Sequence, residues 1–140
     1  MVGELNRSIT PGVIDTIAKR VFTTGGCGAL AIALHDITGW PIVAITDHHN
    51  VHDGVSSNGS ALHWAVRHPG GPILDINGFH NKRQLIEAYN DKADDGKAAI
   101  GLTTREHAIQ WWQEAGEKVS LDVAKNTAET LLHSFDDERL

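Results

Sequence analysis

Val13, Ile14, Ile17, Ala18 and Val21 recur at the spacing of one helix face. Thr10-Pro11 just before them offers a cap followed by proline at the first helical position, so an amphipathic helix is predicted over residues 11–22. A glycine turn, TTGGC, leads into CGALAIALHDI, where Ala29 to Leu34 are apolar without interruption. A helix that is apolar all round is a buried one. Gly39 ends it, and Trp40-Pro41 prevents its continuation. PIVAITD (41–47) is a short β-branched run and predicts a buried strand, whereas HHNVHDGVSSNGS (48–60) is rich in turn formers and predicts a loop.

ALHWAVR (61–67) and PILDIN (72–77) flank His68-Pro69-Gly70-Gly71, the strongest hairpin signal in the chain. Asn81 is placed to cap a helix running to about residue 92 on Leu85, Ile86 and Tyr89, and Asp94-Asp95-Gly96 then turns the chain. Thr103 with Glu106 forms a capping box ahead of a helix carrying Ala108, Ile109, Trp111 and Trp112, and a last helix is predicted from Leu121 to Phe135. Helices, then strands, then helices describe an α+β domain rather than a doubly wound sheet. The expectation is a single domain over residues 1–140, with a core at about 10–80 and a helical C-terminal extension at about 81–140.

Composition narrows the function classes. A chain of 140 residues suits one domain, since domains commonly run to about 100–150 residues. An apolar fraction of 41% and four tryptophans argue against disorder. Twelve Lys+Arg against eighteen Asp+Glu give a net charge of −6 with no basic run, which disfavours nucleic acid and anionic membrane as partners. MVGELNRSITPG lacks the apolar stretch of a signal peptide, and no apolar segment approaches ~20 residues, so a cytoplasmic location is expected. The lone Cys27 excludes an intrachain disulfide framework and a cysteine zinc finger. Nine histidines are an excess for this length.

Three residues converge on one chemistry. Cys27 opens the apolar helix behind Gly25-Gly26, so the backbone turns sharply and the sulfur sits at the helix N-terminus, where thiolate and oxyanion are both stabilised. His63 and Asp75 lie on the two arms of the predicted hairpin. With the turn centred on Pro69 they fall opposite or diagonal to one another on one face, within reach of interaction. Asp75 interrupts an otherwise apolar run, where an unpaired carboxylate would be costly to bury, so a partner is expected. Carboxylate, imidazole and thiol in that order follow the orienter, base and nucleophile logic of a triad.

CGALAIAL after a glycine turn, then LHWAVR, then ILDINGF resembles the papain-like cysteine hydrolase superfamily, in particular small bacterial branches such as double-glycine leader peptidases and papain-like cell-wall hydrolases. The resemblance covers roughly residues 20–80. It implies a central buried helix packed on a small antiparallel sheet, with Cys27 as nucleophile, His63 as general base and Asp75 as orienter. It also implies a peptide or protein substrate, cleavage of an amide, peptide or isopeptide bond through a thioester, and no cofactor. Many of these enzymes carry an upstream glutamine that donates to the oxyanion. Val21 stands at that position here, leaving Thr23, Thr24 or the Cys27 amide to serve. Deamidation and acyl transfer use the same apparatus. A non-catalytic binding or inhibitory module on the same fold, of the kind a phage or mobile element carries, is the competing class.

The remaining histidines have plainer readings beside functional ones. Asp47-His48-His49-Asn50-Val51-His52-Asp53 combines imidazole and carboxylate, which suit zinc, nickel or iron. It matches no established ligand spacing, so a solvated polar loop is the simpler reading, with a substrate-contacting lid as another. His35-Asp36 reads as a helix C-terminal feature and His68 as an exposed turn residue. Trp111-Trp112 predicts one ring in the core and the other on a flank, and Asp136-Asp137-Glu138 a solvated tail.

Overall fold

The computed structural model describes residues 9–10, 12–23, 26–57, 61–115 and 119–135. Pro11, Thr24, Gly25 and the acidic tail at 136–138 lie outside the described residues. The first helix, α1 (Thr16–Thr23), begins later than its apolar spacing predicts. Gly12 adopts a left-handed φ of 77°, which interrupts any helix entered from Thr10. The cap is instead Asp15, whose Oδ1 accepts from the Ala18 amide at 2.9 Å. Val13 and Ile17 are consequently exposed, while Ala18, Val21 and Phe22 are buried.

The apolar run forms α2 (Cys27–Thr38), with every residue from Cys27 to Leu34 buried. It ends on Gly39 at φ 77°, whose amide donates to the His35 carbonyl. Beneath it lies a sheet of β1 (Ile42–Asp47), β2 (Val51–His52), β3 (Val55–Ser56), β4 (His63–Arg67), β5 (Ile73–Asp75), β6 (Gly78–His80) and β7 (Ala98–Leu102), in the order β2-β3-β7-β1-β4-β5-β6. All pairings are antiparallel except β3 with β7. Helices α3 (Lys82–Tyr89), α4 (Arg105–Glu114) and α5 (Leu121–His133) complete an α+β architecture.

Strand alternation divides the interior into two cores. Ile42, Ala44, Trp64, Val66 and Leu74 face α2 and pack with residues of α1, α4 and α5. Val43, Ile45, Ala65, Ile73 and Ile100 face the other way, onto Leu85 of α3. With both faces covered, β1 has no polar side, which is why residues 41–47 read as a continuous apolar run.

Several sequence expectations are corrected. Within the predicted loop, residues 48–56 carry regular structure: a 3-10 turn at His48–Asn50 is followed by the β2–β3 hairpin, and residues 58–60 lie outside the described residues. Asp53 at φ 54° and Gly54 at φ 79° supply the two positive values that its two-residue turn requires. β7 was not foreseen, yet it lies between β3 and β1. Residues beyond 81 therefore supply a central strand as well as helices. The cap of α4 is Thr104, whose Oγ1 accepts from the His107 amide at 3.1 Å, and Thr103 instead meets the His107 ring at 2.9 Å. Among the described residues, no single helix is long and apolar enough to cross a membrane.

Candidate active site

Cys27 is the first residue of α2, preceded by Gly26, which contributes no side-chain cap. Gly28 follows because Trp111 lies directly against this turn: a Cβ at Gly28 would sit 2.7 Å from the indole ring. Trp111 in turn packs on Trp64, with centroids 5.7 Å apart. The helix turn that carries Cys27 is therefore clamped between aromatic rings, and both Trp111 and Trp112 are half-buried against the core rather than one being left on a flank. The Trp112 indole donates to the Val119 carbonyl at 2.7 Å.

The hairpin brings His63 and Asp75 together through a register slightly different from the expected one. Val66 pairs with Leu74 and Arg67 with Ile73, so the turn is centred on Gly70 rather than Pro69. Continuing that register sets Ala65 across from Asp75 and makes His63 its diagonal neighbour. The difference moves the partners by two positions, which preserves the face, whereas a one-residue slip would have separated them. His63 Nε2 lies 3.0 Å from Asp75 Oδ2. His63 is 0% exposed and the Asp75 side chain 4%.

With Nε2 committed to Asp75, Nδ1 is the ring atom left for the thiol. It makes no hydrogen bond of standard geometry, and Cys27 lies near enough to raise the His63 pKa. Burial pushes the His63 pKa down, but the bonds to Asp75 and Cys27 outweigh it and raise the value to about 9. The imidazole is thus protonated at neutral pH. Asp75 shows the complementary balance: burial alone would raise its pKa, and the two histidines it contacts hold it well below the usual carboxylate range.

The second of those histidines was not anticipated. His80 Nε2 lies 2.8 Å from Asp75 Oδ1, which also accepts from the Asn77 amide at 2.9 Å. His80 reaches Asp75 because β5 folds back on β6, with Asp75 opposite Gly78 and Ile73 opposite His80. Asn77-Gly78 is the sequence signal for that reversal. His80 is 26% exposed, and the bond to Asp75, against the opposing effect of burial, raises its pKa. Tyr89 of α3 stacks on the His63 ring and closes the other side.

The positions expected to donate to an oxyanion fall out differently. Val21 is buried and apolar, and the Thr23 hydroxyl donates within its own helix to Lys19 and Arg20 carbonyls. Thr24 lies outside the described residues. The site is closed: Cys27 is 2% exposed. A cavity of about 340 Å³ bordered by Val43, Arg67, Gly70 and Lys82 lies on the α3 side of the sheet and includes none of the three residues.

Other histidines fall elsewhere. His35 Nδ1 lies 2.8 Å from the Trp40 carbonyl, at the end of α2. His68, expected to be exposed, is half-buried with its ring against Trp40 and Phe79. His48 and His49 approach Asp95, while His52 is exposed and outside that group. Comparison with protein-family models, curated proteins and solved structures found no match for this chain.

Proposed function

We propose that the protein is a papain-like cysteine hydrolase acting on an amide, peptide or isopeptide bond of a peptide or protein substrate. The observation that carries this reading is the buried His63–Asp75 pair, 3.0 Å apart, with Cys27 at a helix N-terminus and near enough to raise the pKa of that imidazole. The thiolate is the nucleophilic form of cysteine, and a neighbouring imidazole is the group that exchanges a proton with it. The sulfur attacks the carbonyl carbon, and the first-turn amides of α2 favour the resulting oxyanion. His63 passes its proton to the leaving amine as the C–N bond breaks, leaving a thioester. Water then attacks the thioester, with His63 taking its proton, and the C–S bond breaks to release the acid and the thiolate, which restores the starting pair. Asp75 keeps the ring oriented and the imidazolium stabilised throughout. An amine in place of water would make the same site an acyl transferase, and a glutamine side chain as substrate would make it a deamidase.

The near-complete burial of Cys27 and His63 favours a second reading, a non-catalytic binding or inhibitory module that retains the arrangement. Reaction with p-nitrophenyl acetate separates the two. A catalytic site releases one equivalent of p-nitrophenol in a burst and leaves an acetyl group on Cys27, detected by mass spectrometry of the intact chain. His63→Ala abolishes the burst while the fold, followed by circular dichroism, persists. Acetylation no faster than that of the denatured chain, unaffected by His63→Ala, would overturn the hydrolase reading.

A further inference from the structure

We propose that His48, His49 and Asp95 form a surface site for a divalent transition metal of the zinc class, separate from the Cys27 centre. One ligand atom from each of the three side chains lies within 4.8 Å of the other two. Two imidazoles and a carboxylate are a donor set that suits zinc, copper or nickel and not the oxygen-seeking magnesium or calcium. Around a tetrahedral zinc, ligand atoms stand about 3.4 Å apart. The His48–Asp95 pair, 2.5 Å apart, therefore opens by about 1 Å and His49 closes by up to about 1.4 Å, both within the reach of side-chain rotation on an exposed surface.

The backbone holds the two halves of the site together although they lie far apart in sequence. His48 and His49 sit on the 3-10 turn immediately after β1, and Asp95 on the turn ahead of β7. β1 and β7 are paired up to Asp47 opposite Ala98. The His48 amide donates to the Lys97 carbonyl at 2.9 Å, and the Asp94 amide to Asp47 Oδ1 at 2.8 Å. Asp95 Oδ1 accepts from the Lys97 amide, which leaves Oδ2 to meet His48 Nε2. That contact already aims an imidazole nitrogen and a carboxylate oxygen at one point, and the His49 ring stands beside it with centroids 5.6 Å apart. A bound cation replaces the proton shared by His48 and Asp95, recruits His49 and leaves a fourth position for water. Because it ties two sheet ends in the folded chain only, it stabilises the fold.

The test uses the full chain without a histidine tag, in a Cys27→Ala background so that no thiolate competes for the metal. Zinc titrated by calorimetry is expected to bind at one equivalent per chain and to raise the melting temperature, with magnesium doing neither. His49→Ala and Asp95→Asn should each weaken zinc binding at least about tenfold, the loss seen even when a group supporting a ligand is removed. His52→Ala should leave it unchanged. The three substituted residues are exposed, so the metal-free melting temperatures should coincide. Failure to bind one equivalent, or binding that survives both His49→Ala and Asp95→Asn, overturns the site.

Discussion

The rings of His63 and Tyr89 lie 13° from parallel with centroids 5.0 Å apart, so the buried imidazole is held by a carboxylate at its edge and an aromatic face above it. Tyr89→Phe keeps the face and should leave stability nearly unchanged, whereas Tyr89→Ala should cost about 1–3 kcal/mol through lost aromatic burial and contact. Urea denaturation of the two variants checks the difference.

Tyr89 is the chain's single tyrosine, which makes its phenol directly observable. Burial first, and then the negative charges of Asp75 and Cys27, push its pKa up to about 12. Tyrosinate absorbance should therefore be absent from the folded protein at about pH 10, where a free phenol is half ionised. Absorbance titrating at the ordinary value in folded protein would place the ring in water.

Stability should depend on pH at both ends, with opposite signs. His63 has a raised folded pKa, so its contribution is complete below the unfolded value of about 6.5 and is lost as pH rises through about 9. Asp75 has a depressed folded pKa, so its contribution is complete well above the unfolded value of about 3.9 and is lost as pH falls through the folded one. Denaturant midpoints measured across this range should decline on both limbs. His63→Gln should flatten the alkaline one.

Asp75 serves two histidines of unequal burial, and its loss should cost more than loss of the contact to His80 alone. Asp75→Ala leaves His63 buried without its anion and should cost about 3–5 kcal/mol. His80→Ala removes a partly exposed partner and should cost about 1 kcal/mol or less. In a p-nitrophenyl acetate assay, Asp75→Asn should suppress the burst more than His80→Asn does. Equal effects would mean that the two contacts hold His63 jointly.

Gly28→Ala places a methyl against Trp111 in the turn that carries Cys27. Overpacking of this kind should cost about 1–3 kcal/mol. It should also change the fluorescence of the tryptophan cluster, and Trp111→Leu in the same chain should restore most of the stability.

Much of this was legible in the residues themselves. The uninterrupted run Ala29–Leu34 and the terminating Gly39 specify the buried helix and its end through local pattern and the glycine's left-handed φ. The HPGG turn brings His63 and Asp75 to one face because a hairpin's pairing is local and a two-residue displacement leaves the face intact. The capping signal of Asn81 is realised by a hydrogen bond within three residues.

What the sequence did not determine depends on contacts between distant segments. AAIGL at 98–102 is too short to distinguish strand from buried helix, and only the open edge of β1 makes it a central strand. Asp95 approaches His48 because β1 and β7 pair, and no local pattern links residues 47 positions apart. His80 meets Asp75 through the β5–β6 reversal, and Tyr89 reaches His63 through the docking of α3. The single cysteine and its glycine turn were visible from the start. The imidazole beside it and the rings that enclose both were decided by tertiary packing, because burial and distance belong to the folded chain and not to the order of its residues.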